Sequence, residues 1–267
     1  MPKLSLIIPV YNVQNFLSRA LQSCIDQTFK DIEIIIIDDK SEDESLKIAL
    51  EFAKKDERIK IFTNEKNLGT FASRNQGVLR ASTDFVMFLD ADDFLPLRAC
   101  EIAFCNIQPE LDLLCFDAFV HRVKIKQFYH FKQDEIFTQK QFLEFLTKQK
   151  HFCWSVWAKV FKKDLIFKSF EKIDMFERLC YGEDVLFCYF YFMFCKKIAV
   201  FRECLYHYEF NENGRYENKN KAILWQNYED KKRSFEILKT IKNDFCEFNE
   251  KLFLILEKEI KGLEGRL

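Results

Sequence analysis

IEIIIIDD, residues Ile32 to Asp39, is the segment that indicates the fold class most directly. Isoleucine fills nearly every position before the two aspartates, so the pattern predicts a strand that is buried on both faces. Strands of this kind are typical of a parallel sheet that carries helices on both sides. The two aspartates then place charge at the point where the chain leaves the strand.

The segments around this strand alternate between strand and helix patterns. LSLIIPV and the helical VQNFLSRALQSCIDQT precede it, and the helical DESLKIALEFAKKD, the strand IKIFT, the helical FASRNQGVLRAS and the strand FVMFLD follow. This alternation predicts an α/β fold with a mostly parallel sheet flanked by helices. Right-handed crossovers bring the carboxyl ends of such strands to one edge, where ligands bind.

Polar residues follow three of these strands and predict a pocket at that edge. Asp90 and Asp92, two apart in an extended chain, can direct both carboxylates toward one face. Oxygen ligands of this type suit Mg²⁺ or Mn²⁺ together with substrate phosphates. For Asp92 or Asp93 the alternative is the N-cap of a helix beginning near Leu97. The polar strand ends are Pro9, Tyr11 and Asn12 on the first strand, Asp38 and Asp39 on the second, and Asp90, Asp92 and Asp93 on the fourth.

Composition excludes several classes of function. With 41 basic and 42 acidic residues, the net charge of −1 gives no electrostatic case for nucleic-acid binding. The sequence has neither G-x-G-x-x-G after the first strand nor G-x-x-x-x-G-K-[ST], so dinucleotide and P-loop sites are not indicated. Ten cysteines, none in a C-x-x-C pair, indicate a reducing compartment. Without a secretion signal or an apolar run of bilayer length, a cytoplasmic protein is expected.

The second half of the chain is less regular. It contains HFCWSVWAKVFKKDLI, then YGEDVLFCYFYFMF, a predicted strand pair around IAVFRECLYHYEF and the polar loop NENGRYENKN. From about Lys221 the pattern predicts a helical C-terminal extension. Its mixture of aromatics and lysines fits either peripheral contact with a membrane or plain packing on the domain.

Four segments together carry a family resemblance. LSLIIPVYN, IEIIIIDDKSEDES, NLGTFASRNQG and FVMFLDADD closely resemble the family 2 glycosyltransferases, inverting enzymes with the GT-A (Rossmann-like) fold. WAKVFKKDLI and YGEDVLF extend the similarity to about residue 187. The sequence looks like the bacterial members that build surface polysaccharide and lipooligosaccharide, including galactosyl- and N-acetylhexosaminyl-transferases. The resemblance implies a catalytic domain over 1–210, with a nucleotide-sugar half at 1–115 and an acceptor half at 116–210. A lid loop and C-terminal helices would occupy 211–267.

The resemblance also implies a UDP-sugar donor, a glycan or lipid-linked glycan acceptor and Mn²⁺ or Mg²⁺ as cofactor. Asp39 is expected to have a structural role rather than a role in donor binding, by holding the start of the loop that follows it. The implied roles in donor binding are the nucleobase pocket for Pro9 and Tyr11, nucleotide binding for Asn12, the uracil edge for Asp38, the base or diphosphate for Arg74, the ribose for Asp90, and the metal for Asp92.

Glu183 and Asp184 are the predicted catalytic pair. They follow Gly182 and precede an apolar helical run, so by themselves they read as acidic residues favoured at a helix start. The resemblance implies that Asp184 is the base and that Glu183 orients the acceptor or the base. A sugar hydroxyl is a very weak acid, and a positioned carboxylate supplies roughly 10²- to 10⁴-fold in rate.

Four further residues have a functional and a structural interpretation. His207 is a candidate ligand of the metal or diphosphate, or a hydrogen-bonded core histidine. Arg215 is a candidate lid residue over the donor, or an exposed loop arginine. Trp154 and Trp157 either stack on an acceptor sugar or pack in the core.

Three other classes of protein remain as alternatives. A sugar nucleotidyltransferase would use a Gly-rich N-terminal loop with a basic residue, which PVYNVQNFL lacks. A glycosidase can use a pair of carboxylates but needs no nucleotide site. An inactive glycan-binding module would bind glycan without UDP or metal.

Overall fold

The computed structural model describes residues 1–121, 125–128, 131–149, 154–173, 179–211, 219–241 and 243–267. These residues contain nine strands that join in one sheet. The strands are β1 (Leu4–Val10), β2 (Ile32–Asp38), β3 (Ile59–Thr63), β4 (Phe85–Phe88), β5 (Leu113–His121), β6 (Ile125–Phe128), β7 (Glu135–Thr138), β8 (Lys159–Lys162) and β9 (Lys197–Glu209). Their order is β3-β2-β1-β4-β8-β5-β9-β7, with β6 paired to β5.

Helices flank this sheet, as the sequence predicted. They are α1 (Gln14–Ile25), α2 (Ser45–Ala53), α3 (Thr70–Arg80), α4 (Ala99–Cys105), α5 (Gln139–Thr147), α6 (Lys163–Phe170), α7 (Glu183–Phe194), α8 (Lys221–Lys239) and α9 (Cys246–Glu264). Within the described ranges, none of them combines the length and the apolar character that a bilayer crossing requires.

The first half of the sheet is parallel. β1 pairs in parallel with both β2 and β4, and β2 pairs in parallel with β3. Every residue of β2 is buried, which confirms the interpretation of the isoleucine run. The carboxyl ends of these strands therefore meet at one edge, where the polar residues were expected to form a pocket.

The second half of the sheet is mixed. β8 lies between β4 and β5 and runs antiparallel to both. The predicted boundary between the two halves at residues 115 and 116 falls inside β5, so one sheet runs through both halves. The prediction of a strand pair near residue 200 is wrong, because Lys197–Glu209 is a single strand. Residues 201–206 of β9 lie opposite only residues 116–118 of β5, so β9 contains bulges at this point. A bulge bends a strand but does not reverse it.

The C-terminal helices belong to the main core. α7 is apolar around most of its circumference and nearly all of it is buried. One face of it packs near Phe161 of β8, while Tyr189 stacks with Phe248 of α9. The α8 and α9 residues in the same core cluster are Phe235, Leu238, Phe248, Leu252 and Leu256. The helical extension therefore covers the helix that begins with the predicted catalytic pair.

Candidate active site

Arg74 of α3 lies at the centre of the candidate site. Its Nη2 donates to Asp90 Oδ1 at 2.7 Å, and its Nη1 donates to Asp184 Oδ1 at 2.8 Å and to Glu183 Oε1 at 3.4 Å. The guanidinium is buried, with 6% of the residue exposed. Burial by itself would lower the pKa of Arg74, but the three carboxylates raise it, so the residue stays charged. The structure thus joins four residues that the sequence indicated from three separate segments.

Two local features place Arg74 at this edge. A Cβ on Gly77 would overlap Cγ2 of Ile7, so the glycine allows α3 to approach β1 closely. Asp39 accepts hydrogen bonds from the backbone N–H groups of Leu68 and Gly69, at 2.8 and 2.7 Å. Because Gly69 is the N-cap of α3, Asp39 fixes the start of the helix that carries Arg74.

The expected role of Asp39 is therefore corrected. It holds the loop before α3, and its Oδ1 also accepts from Asn64 Nδ2 at 2.8 Å. The neighbouring Asp38 faces the loop that follows β2, where both of its carboxylate oxygens accept from Ser41 N at 3.4 Å. The two aspartates of this strand end thus tie down different loops.

The acidic pair begins α7. Its N-cap, Gly182, has a φ of +81° in the left-handed region, which turns the chain sharply into the helix. Burial and the adjacent Asp184 charge raise the pKa of Glu183 to about 8, although Arg74 opposes this shift. Glu183 therefore holds its proton to a higher pH than an ordinary glutamate does.

Asp184 is the more exposed carboxylate of the pair. Burial raises its pKa, as does the charge of Asp90, while Arg74, the backbone N–H of Val156 and the charge of Lys159 lower it. Its side chain keeps 26% exposure, whereas the side chain of Glu183 keeps 10%. Asp184 is thus the carboxylate of the pair that is more open to an incoming hydroxyl.

The acidic turn after β4 is held on the side of β9. The hydroxyl of Tyr206 donates to Asp93 Oδ2 at 2.7 Å, and the hydroxyl oxygen of Tyr206 accepts from the backbone N–H of Asp90 at 3.1 Å. Asp93 further accepts from Glu209 N at 2.7 Å. The alternative of a helix N-cap is wrong for Asp93, because α4 begins at Ala99 with Arg98 as its N-cap.

Asp92 is the carboxylate of this turn that suits a divalent cation. Burial and the charge of Asp90 raise its pKa, and its Oδ2 accepts from Asn211 Nδ2 at 3.0 Å. No group of three or more His, Cys, Asp or Glu side chains capable of holding a metal occurs among the described residues. Mg²⁺ and Mn²⁺ commonly take one or two carboxylates and complete their shell with phosphate oxygens and water. The donor set of Asp92 and a bound diphosphate fits that chemistry.

The ends of β1 and β2 form the neighbouring part of the edge. Tyr11 is 47% exposed, whereas Asp38 is buried at 1%. Asn12, with a φ of +48°, accepts from Glu42 N at 2.8 Å and so ties the two strand-end loops together. Pro9 lies on β1 opposite Ile37 of β2. Exposed Tyr11 is the surface at this end on which a flat base can stack.

Two of the remaining candidates, Trp154 and His207, pack against aromatic side chains. Trp154 is 7% exposed and stacks with Phe192, which favours core packing. His207 lies between Phe94 and Phe119, with ring centroids at 4.3 and 4.7 Å. The nitrogen Nδ1 of His207 is 2.7 Å from His121 Nε2, and burial lowers the pKa of His207 to about 4. These contacts favour the structural alternative for both residues, and their functional roles stay predictions; Arg215 lies outside the described residues.

Trp157 remains near the site. Its indole stacks on Tyr206 and Tyr208 at 5.1 and 5.5 Å. Because Tyr206 also binds the acidic turn, Trp157 is one ring away from Asp90 and Asp93.

Sequence reasoning missed Lys159 and Tyr206. Lys159 is 1% exposed and its Nζ donates to Ser155 O at 2.6 Å, which closes the loop that contains Val156. The signal for it was a single lysine inside the apolar run VWAKVF. Tyr206 carried no signal, because its partners lie more than 100 positions earlier in the chain.

The parallel half-sheet, with an acidic turn at its carboxyl edge and a second acidic pair on α7, has the architecture of the GT-A fold. The family model Glycosyl transferase family 2 matches residues 5–167. The chain belongs to this family. The match ends before Glu183 and Asp184, so the acidic pair lies outside the segment that the family model covers.

Several curated relatives of this chain are named as glycosyltransferases. A Haemophilus influenzae protein named an uncharacterized glycosyltransferase is 43% identical over 95 residues, which are 36% of this chain and 38% of that protein. EpsH of Bacillus subtilis, also named as a glycosyltransferase, is 29% identical over 93% of this chain and 77% of its own length. GlyA of Streptococcus pneumoniae is 43% identical over 35% of this chain. The matched segments span only 38% and 13% of the Haemophilus and Streptococcus proteins.

Solved structures share the fold. TarS 1–349 of S. aureus, in complex with UDP-GlcNAc, has a TM-score of 0.71 at 21% identity and covers 94% of this chain and 71% of its own. The mannosyltransferase PcManGT of Pyrobaculum calidifontis, in complex with GDP-Man and Mn²⁺, has a TM-score of 0.64 at 15% identity and covers 97% of this chain and 70% of its own. At these identities the likeness concerns the fold.

Proposed function

We propose that this protein is a metal-dependent inverting glycosyltransferase that moves a hexose or N-acetylhexosamine, with a galactose-type sugar favoured, from a UDP-sugar to a hydroxyl of a bacterial surface glycan. The observation that carries the proposal is the Arg74 bridge. One guanidinium links Asp90, at the edge where nucleotides bind in open α/β sheets, to Asp184 on a separate helix. A donor at this edge and a base across from it are the two parts that inversion needs.

The donor half of the site is formed by the strand ends. Tyr11 offers a ring face to the base, and Asp38 and Asn12 lie in the adjoining loops. Asp92 would hold Mn²⁺ or Mg²⁺ against the diphosphate, and such an ion stabilises the negative charge that grows on the leaving group. Complexes of the fold neighbours with UDP-GlcNAc and with GDP-Man and Mn²⁺ support a nucleotide-sugar donor.

The acceptor half centres on Asp184. We assign it as the base that takes the proton of the attacking hydroxyl while the oxygen bonds to the anomeric carbon. The bond from that carbon to the diphosphate oxygen breaks with its electron pair on UDP, so the configuration inverts. Arg74 keeps Asp184 charged and oriented, and the protonated Glu183 can donate a hydrogen bond to the acceptor.

The acceptor is proposed from relatives. One relative, from Campylobacter jejuni, is named a GalNAc(5)-diNAcBac-PP-undecaprenol β-1,3-glucosyltransferase and is 45% identical over 36% of this chain. Another, from Borreliella burgdorferi, is named a cholesterol galactosyltransferase and is 29% identical over 76% of this chain. We therefore propose a lipid-linked or surface glycan as acceptor and action at the inner face of the cytoplasmic membrane.

Donor turnover tests the function. UDP release is measured with UDP-Gal, UDP-GalNAc, UDP-Glc and UDP-GlcNAc, with a chelator and then with added Mn²⁺ or Mg²⁺. The proposal expects release from one or more of these donors, its loss with chelator and its return with metal. Asp184→Asn should retain UDP binding and lose transfer by at least roughly 10²-fold. Transfer by Asp184→Asn at near wild-type rate contradicts the base assignment, and pyrophosphate release from UTP indicates a nucleotidyltransferase instead.

A further inference from the structure

The segment immediately before the acidic pair is held by the C-terminal helix α8. The backbone N–H of Cys180 donates to Asp230 Oδ2 at 3.1 Å. Asp230 is buried, with 4% exposure, and its other oxygen accepts from Gln226 Nε2 at 2.6 Å. A buried carboxylate of α8 therefore fixes the backbone four positions before Asp184.

The next two residues also rest on α8. The ammonium of Lys231 lies 5.3 Å from the centre of the Tyr181 ring and pairs with Glu259 of α9 at 2.6 Å. A Cβ built on Gly182 would be 3.0 Å from Lys231 Cδ and 3.3 Å from its Cα. Residues 180, 181 and 182 are thus each in contact with Asp230 or Lys231.

This contact matters because the acidic pair comes directly after it. Gly182 is the N-cap of α7, and its left-handed conformation sets the direction in which Glu183 and Asp184 leave the loop. Asp184 must keep its oxygen 2.8 Å from Arg74, on the opposite side of the site. A shift of the 180–182 segment changes that distance, since one helical turn carries both carboxylates.

We propose that Asp230 and Lys231 of α8 are positioning residues that hold the Glu183–Asp184 pair in its catalytic place. This inference rests on the proposed function of Asp184 as base and extends the working site into a helix outside the family match. Asp230 acts through the Cys180 backbone, and Lys231 acts through Tyr181 and Gly182. Neither needs to touch donor or acceptor.

Asp230→Ala and Asp230→Asn test the proposal against Glu229→Ala, a matched exposed acidic residue of the same helix. A misplacement on the scale of 1 Å costs on the order of 10²-fold in rate. We expect kcat of Asp230→Ala to fall roughly 10- to 100-fold, with an unchanged Kd for UDP in calorimetry. Asp230→Asn retains an acceptor for Cys180 N and should lose less. Glu229→Ala should match the wild type.

The pH profile separates positioning from a general loss of structure. The charge of Arg74 lowers the pKa of Asp184, so a looser contact raises that pKa and moves the acid limb of kcat to higher pH. Asp90, Glu183 and Lys159 face the same carboxylate and are unchanged in these variants. Wild-type kcat in both Asp230 variants overturns the proposal, as does a fall in kcat with an unmoved acid limb. If Asp230→Ala does not fold, kcat and the acid limb of Asp230→Asn are compared with those of the wild type in the same way.

Asp184→Asn in the same assays distinguishes the two levels of inference. If Asp184→Asn is inactive and the Asp230 variants behave as wild type, the positioning role alone is wrong. If Asp184→Asn transfers sugar at near wild-type rate, the base assignment is wrong and the positioning role falls with it.

Discussion

Replacing Arg74 by methionine removes the guanidinium that forms ion pairs with Asp90, Asp184 and Glu183. Methionine keeps a similar length and an apolar stem, so the change is mainly one of charge. Breaking a buried ion pair by removing one partner costs about 3–5 kcal/mol, because the remaining charges stay buried. We expect a loss of this size in the free energy of unfolding at pH 8.

The loss should shrink as the pH falls. Arg74 lowers the pKa of both Asp184 and Glu183, so without it the folded-state pKa of each of these two carboxyls rises further above its unfolded value; that of Glu183 is already about 8 in the wild type. A carboxyl with a raised folded pKa destabilises the fold above its unfolded pKa, and the penalty disappears as the folded state takes up the proton. One pKa unit corresponds to about 1.4 kcal/mol. The stability difference between wild type and variant should therefore be at least about 1.4 kcal/mol smaller at pH 5 than at pH 8.

Urea unfolding of both proteins at pH 5 and pH 8 measures this difference. Arg80→Met is the matched control, since Arg80 lies on the same helix but is exposed; it donates to Gln76 and its guanidinium lies over the Phe62 ring. It should change stability by less than about 1 kcal/mol, by the same amount at both pH values. An Arg74→Met loss that is equal at both pH values, or below about 1 kcal/mol at pH 8, would refute the idea that the carboxylates depend on this guanidinium.

Three further outcomes follow from other parts of the structure. Gly77→Ala should lower stability by about 1–3 kcal/mol in thermal unfolding, because its Cβ meets Ile7; an unchanged Tm would mean that α3 can move away from β1. His207 has a pKa of about 4 in the folded protein, so between pH 7 and pH 5 the unfolded imidazole takes up a proton while the folded one stays neutral. The free energy of unfolding of the wild type should therefore fall by about 1–2 kcal/mol over that interval. His207→Phe should show a smaller fall in urea unfolding. Cys105 and Cys246 are exposed and should react with N-ethylmaleimide well before Cys24, because Cys24 is buried and burial raises its pKa to about 12. Early adducts on Cys24 in mass mapping would contradict this.

The sequence was most informative where local pattern and tertiary environment agree. The β2 run predicted its own burial, and the strand IKIFT coincides with β3 residue for residue. Polar residues after successive parallel strands have to meet at one edge, so Asp38 and Asp90 could be assigned to the same edge of the sheet. The acidic pair of α7 was found only through the family resemblance, because acidic residues are common at helix starts.

The errors arose where partners are distant in sequence. Asp93 lies before a helix, which suggests a cap, but its partners are Tyr206 and Glu209 on β9. The bend in β9 resembled a turn, because bulged residues interrupt the alternation on which strand prediction depends. Arg74 appeared as a donor-binding candidate, and its bond to Asp184 spans 110 positions that no local pattern can relate.

The late arrival of β8 has a consequence for biosynthesis. β4 ends at residue 88, and one of the two strands that pair with it is β8, which contains Phe161. The ribosome makes β8 more than 70 residues after β4. Until then the nascent chain presents an unpaired strand margin of Val86 and Met87, the kind of surface on which other chains can add. Expression of a fragment ending near residue 115 should therefore yield aggregates, and slowing translation before residue 162 should increase the need for a chaperone.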